Sequence, residues 1–182
     1  MRLMAKRSRS GGLAACAAGA AAVEFGLALM TILIPLTAGF IELGRALHHR
    51  QILEKSVRDA ARYLGQMPTA GDFETPSCSA TGAMAGGTPG PAGMAKDLAL
   101  YGKVSPQSGV DAPLLSSWTA YNSICVTGPV TRQVDTGGGV FLDVDVVSVQ
   151  ASMAYNDLGL LSLVGLGGFT ITVSHEQRHI GE

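Results

Sequence analysis

The sequence predicts an α+β protein, with a long N-terminal transmembrane and stalk helix followed by a small antiparallel β-sheet domain. Three observations carry this. Phe25–Ile41 contains no ionisable side chain. Beyond it Leu53, Val57, Ala60 and Leu64 recur at i, i+4, i+7 and i+11, the spacing of one helix face. Further on the period drops to two, with Val140, Leu142, Val144 and Val146 on one side of a strand and Asp143 and Asp145 on the other.

Composition narrows the function classes. Of 182 residues 47% are hydrophobic and 15% charged, against about 25% charged in ordinary soluble domains, so the chain is too apolar to be disordered. A formal net charge of −1 excludes a generally basic nucleic-acid binder. The charge is unevenly placed. Residues 1–19 hold Arg2, Lys6, Arg7 and Arg9 without an acid, while after residue 66 the only bases are Lys96, Lys103, Arg132 and Arg178 among a larger number of acids.

Ala20–Ile41 is long enough, at roughly 33 Å of helix, to cross a bilayer. With the bases on its N-terminal side, the positive-inside rule places the N-terminus in the cytoplasm and the chain after Glu42 outside. Pro35 lies within the span and predicts a kink or accommodation by neighbouring helices. A secretory signal would place small residues after its large apolar ones; here Ala14–Ala22 come first. Leu13-Ala14-Ala15-Cys16 has the form of an acylation box but lacks an apolar region upstream.

Glu24 is the one acid in this apolar run. An intramembrane carboxylate is costly and points to a partner. Were the chain cut after Gly19, the new α-amino group of Ala20 would lie one turn away, so Glu24 can pair with that amine, pair with a neighbouring subunit's, or reach the interface. The basic leader, Gly19, and Ala20-Ala21-Ala22-Val23-Glu24-Phe25 resemble the type IV prepilins cut after glycine. Together with Ile41-Glu42-Leu43-Gly44-Arg45 and Val57-Arg58-Asp59-Ala60-Ala61-Arg62-Tyr63, the segment resembles the TadE-like pseudopilins of tight-adherence (Tad, Flp-type) pilus systems. Met30 stands roughly where members often carry the proline. The resemblance implies cleavage between Gly19 and Ala20 by a membrane prepilin peptidase, and roles for Glu24 and Phe25 in subunit register and assembly. The implied partners are the membrane, the peptidase and other pilin-like subunits.

The expected parts are a leader at 1–19, a span at 20–41, an amphipathic stalk at 42–66 stopped by Pro68, and a periplasmic α+β domain at 67–182. Arg45, His48, His49 and Arg50 read as headgroup contacts or a solvated face. Residues 67–93 read as loop, being rich in Gly, Pro, Ser, Thr and Ala. Cys78 and Cys125 remain once the leader is removed; in an oxidising compartment they predict a disulfide, the alternative being two free thiols. Ala92–Gly102 suggests a short helix ending at glycine. Ser123–Thr127, Val140 to about Tyr155, and Phe169–His175 read as strands, with Val146-Val147 predicting a bulge or burial on both faces. The sheet's apolar face is expected to lie under the stalk helix.

Two tempting motifs lack their context. His175-Glu176-Gln177-Arg178-His179 spells HExxH but follows a strand rather than opening a helix. Asp143 and Asp145 read as a solvated face rather than an acid–base pair. No nucleophile–base set accompanies the histidines. The sequence thus predicts a non-enzymatic minor pseudopilin without a cofactor, metal, nucleic-acid partner or small-molecule substrate, which acts by association in pilus assembly and surface adhesion. The competing expectation is an uncleaved, signal-anchored periplasmic binding or adhesion module.

Overall fold

The computed structural model describes residues 11–68, 78, 90–159 and 168–181, and for 11–18 the backbone alone. The bases of the expected leader, the side chain of Cys16, most of the 67–93 loop and most of the glycine-rich link after Leu158 lie outside the described residues. The architecture is α+β. Helix α1 (Gly11–Gln66) is followed by α2 (Pro91–Tyr101), a single 3-10 turn at Tyr121–Ser123, and strands β1 (Ile124–Asp135), β2 (Phe141–Ala154) and β3 (Thr170–Arg178). The strands form an antiparallel sheet in the order β1-β2-β3.

Helix α1 runs for 56 residues, about 84 Å. Its apolar half is rich in Leu and Ala, which lose little freedom in a helix. Thr31 and Thr37 satisfy their hydroxyls by donating back to the carbonyls of Leu27 (2.5 Å) and Leu33 (2.9 Å). Pro35 sits inside the helix without ending it. Helix α2 carries proline at its first position and ends at Gly102, whose φ of 70° suits a residue without Cβ and whose N–H reaches the Leu98 carbonyl at 2.9 Å.

The core lies between one face of the sheet and the two helices. Leu53, Val57, Ala60, Ala61 and Leu64 of α1 are closed off from solvent, as are Ala95, Ala99 and Leu100 of α2. Facing them are Ile124 and Val126 of β1, Val147, Val149, Ala151 and Met153 of β2, and Ile171 and Val173 of β3. Each large side chain so buried contributes about 1.5–3 kcal/mol. Trp118 fills the end of this core and donates its indole N–H to the Ser123 hydroxyl at 2.8 Å. The second half of α1 is thus an inner wall of the domain as well as a stalk.

The sheet corrects one expectation. β2 shows no bulge at Val146-Val147; the irregularity falls on β1, between Thr127 and Val130, where Gly128-Pro129 faces the unbroken partner strand. Because β2 keeps strict alternation, the phase that begins at Val147 occupies the core, and the row Leu142, Val144, Val146 lies on the opposite face. Asp143 and Asp145 share the core side but lie beyond the helices' cover and stay exposed.

The other end of α1 is tied to the residues that follow β3. The Ile180 N–H donates to the Gly65 carbonyl at 2.8 Å, and His179 Nε2 donates to the Met67 carbonyl at 2.9 Å. A Cβ at position 65 would stand 2.8 Å from the Arg178 carbonyl oxygen, so glycine permits this approach.

Candidate functional site: the apolar helix and its collar

Gly19, Ala20, Glu24 and Phe25 all lie on the first half of α1 and are exposed, with Phe25 keeping 69% of its surface open. Ala20 and Glu24 stand one turn apart on the same side of the helix. None of the ion pairs among the described residues includes Glu24. Leu27, Met30, Ile32, Leu33, Ile34 and Phe40 are likewise at least half exposed. α1 contains a window of mean hydropathy 1.9, none of it buried against the protein, and is long and apolar enough to cross a membrane. Its length, apolarity and exposure are those of a membrane anchor.

Where the apolar half ends, a polar collar joins helix to sheet. Glu42 is 1% exposed. Its Oε2 accepts the Tyr155 hydroxyl at 2.6 Å, its Oε1 accepts the Leu158 N–H at 2.6 Å, and Arg45 Nη1 stands 3.4 Å away. The Tyr155 hydroxyl also lies 3.2 Å from the Glu42 carbonyl oxygen. The Tyr155 ring stacks on Phe169 at 4.9 Å, meets the His49 ring edge-on at 5.5 Å, and lies 5.9 Å from the Arg45 guanidinium. Burial pushes the Tyr155 hydroxyl up to about 12, helped by the Glu42 carboxylate and opposed by Arg45. Burial and then the charge of Arg45 and His48 hold His49 below its ordinary value.

A donor on each oxygen, the buried Tyr155 hydroxyl and the part-buried Leu158 N–H, fixes the carboxylate, and the stacked rings fix the tyrosine. The collar therefore sets how the sheet sits against α1 at the point where the apolar half gives way to the amphipathic one. In the sequence Glu42 belongs to a short motif and no spacing rule gives it a partner, since Tyr155 is 113 positions away. The available signal was an acid at the end of an apolar run. Arg45 and His49, expected as headgroup contacts or a solvated face, also line this joint.

The remaining candidates lie away from it. A disulfide joins Cys78 to Cys125 at the end of the sheet near α2. In that region Tyr121 donates to the buried Asp97 at 2.6 Å, and its hydroxyl is raised by burial and then by that carboxylate. The neighbouring Lys96 is fully buried and lowered by burial. HExxH begins in β3 and ends at His179, just past it; His175 and Glu176 point to opposite faces of the strand and Glu176 pairs with Arg132 at 2.7 Å. Among the described residues no three His, Cys, Asp or Glu side chains cluster as a metal site.

Residues 19–62 match the family model for TadE-like proteins. The TadE-like segment begins at Gly19, spans the apolar half of α1 and Glu42–Arg45, and continues along the core-facing half to Arg62. It includes one side of the collar and leaves Tyr155, Leu158 and Phe169 outside. No curated protein and no solved structure matches the chain.

Proposed function

We propose that this chain is a minor pseudopilin of a tight-adherence pilus system, made as an N-in precursor, cut between Gly19 and Ala20 by a prepilin peptidase, and acting by association with other pilin-like subunits in pilus assembly and surface adhesion. The observation that carries the reading is the TadE-like match, which starts at Gly19 and follows an apolar helix that the protein's own domain leaves uncovered. Such a surface needs lipid or other apolar helices around it. After cleavage Glu24 neutralises an α-amine, its own or a neighbour's, and thereby fixes axial register. Phe25 packs beside it. The domain beyond the collar, with its Cys78–Cys125 bond, lies in the periplasm. The test is N-terminal sequencing and blotting of the protein from cells with and without the peptidase. Wild type is expected to shorten to a chain starting at Ala20, with the Gly19 variant remaining full length. A full-length wild type, with assembly indifferent to Glu24→Ala, would favour an uncleaved anchored binding module.

A further inference from the structure

The free edge of β3 is closed at one end and open at the other. The His179 N–H donates to the Asp145 carbonyl at 2.7 Å and the Tyr155 N–H to the Phe169 carbonyl at 2.8 Å. Odd-numbered residues of β3 therefore turn their backbone groups to β2, and even-numbered ones turn theirs away. Past the strand's end α1 itself fills this outward row, since the Ile180 N–H reaches the Gly65 carbonyl at 2.8 Å. Nearer the apolar half, helix and edge part. They leave an open cleft of about 260 Å³ between Arg50, Glu54, Val57 and Arg58 of α1 and the β3 edge from Thr172 to His175. Among the described residues nothing takes the outward N–H and C=O groups of Thr172 and Ser174.

An edge with unpaired groups is a template for one more strand, and a helix standing beside it supplies a wall that reads side chains. The wall here is basic. Arg50 is engaged by Glu54 at 2.8 Å, whereas none of the ion pairs among the described residues includes the exposed Arg58. A strand added antiparallel would bond Thr172 and Ser174 through two residues whose side chains share the outer face, and the residue between them would turn toward α1. An acid at that middle position meets Arg58. A second copy fits less well. Two chains anchored in one membrane present β2 to β3 only antiparallel, and the groups β2 leaves open are those of Phe141 and Asp143, so Leu142 would face the arginine.

We propose that the cleft between α1 and β3 receives an extended acidic segment of another protein, which adds antiparallel to β3 through Thr172 and Ser174 and sets a carboxylate on Arg58. This gives a chemistry to the association proposed above. Strand addition does not depend on processing at Gly19, so either reading can fail alone.

The test uses the full chain in detergent micelles. In hydrogen exchange the Thr172 and Ser174 amides are expected to exchange faster than those of Val173 and His175, which β2 holds. Protection of both in the chain alone overturns the proposal: if independent of concentration it assigns the edge to another part of the same chain, and if growing with concentration to a second copy. The probe is a capped, fluorophore-labelled Thr-Val-Thr-Glu-Thr-Val-Thr peptide followed by anisotropy. Saturable binding that slows exchange at Thr172 and Ser174 is expected. Exchanging the peptide's glutamate for glutamine, or Arg58→Gln in the protein, should each weaken binding about tenfold, and the two together little further. N-methylation of the two threonines beside the glutamate should abolish binding, because it removes the donors to the β3 carbonyls. Arg62→Gln, exposed on α1 outside the cleft, should change nothing. No saturable binding up to about 1 mM, or undiminished binding by the N-methylated peptide or by Arg58→Gln, overturns the proposal.

Discussion

The two halves of α1 share one backbone conformation and differ in everything around it. From Val23 to Ile41 large apolar side chains such as Ile32 and Phe40 keep about two thirds of their surface open, whereas Leu53 and Leu64, on the same helix, keep none. The first half is apolar all round and the second on one side only. What separates them is the neighbour each was given: α2 and the sheet cover the second half, and among the described residues nothing covers the first. Glu42 stands at the change, closed off by Tyr155 and the Leu158 amide.

The comparison is broken most directly by truncating one leucine in each half. Leu53→Ala is expected to destabilise the domain by about 3 kcal/mol, since a closed core site pays both lost transfer energy and a cavity. Leu33→Ala should leave domain melting unchanged when the full chain is followed in detergent micelles by near-ultraviolet circular dichroism. Equal losses at the two positions would mean that the first half packs on the domain after all.

The collar sharpens the same contrast with smaller effects. Glu42→Ala removes the acceptor of the Leu158 N–H and leaves the buried Tyr155 hydroxyl only its longer contact with the residue-42 carbonyl, and is expected to cost about 1–3 kcal/mol. Tyr155→Phe keeps the stack on Phe169 but takes a donor from a buried carboxylate, and should cost about 1.5–3 kcal/mol. If both variants melt like wild type, the joint between helix and sheet is held by apolar packing alone. Alkali offers an independent probe. The Tyr155 hydroxyl titrates at about 12 in the folded protein, above the ordinary value near 10. Its contribution is therefore complete below about pH 10 and is lost as pH rises through 12, because the unfolded chain ionises first. Melting temperature should fall less steeply over that window in Tyr155→Phe than in wild type. Tyr63 and Tyr121, both raised by burial, contribute a slope common to the two proteins.

Much of this was legible because it depends on local pattern. An uninterrupted apolar run, a heptad-like return of Leu53, Val57, Ala60 and Leu64, and Gly102 after a short helical stretch each act within a few residues. The two helices of the α+β class and the end of α1 at Gln66 follow from them, whereas its start at Gly11 lies inside the stretch expected as a leader. The collar was not legible, since Glu42, Tyr155 and Phe169 meet through the path of the whole chain and no spacing rule joins them. The phase of β2 was also out of reach. Leu142-x-Val144-x-Val146 and Val147-x-Val149-x-Ala151 are both acceptable inner rows, and only the placement of the helices decides between them. The resemblance carried by Gly19, Glu24, Glu42 and Arg45 named the family whose model matches residues 19–62, but a match confined to α1 says nothing of the sheet.

The smallest expected effect tests that choice of phase, and it repeats in a strand the contrast seen in the helix. The half of β2 from Val147 onward lies beneath the helices, while Phe141–Val146 pairs with β1 as a ribbon that runs past their cover. Leu142 is 55% exposed on the outer face. Leu142→Ser should therefore change domain stability by no more than about 0.5 kcal/mol, as for other exposed sites outside packed networks. Val149→Ala, on the covered half, serves as the control that must destabilise. A loss at Leu142 matching that at Val149 would show that the ribbon's outer row is covered by something, and the strand, unlike the helix, would then have no uncovered half.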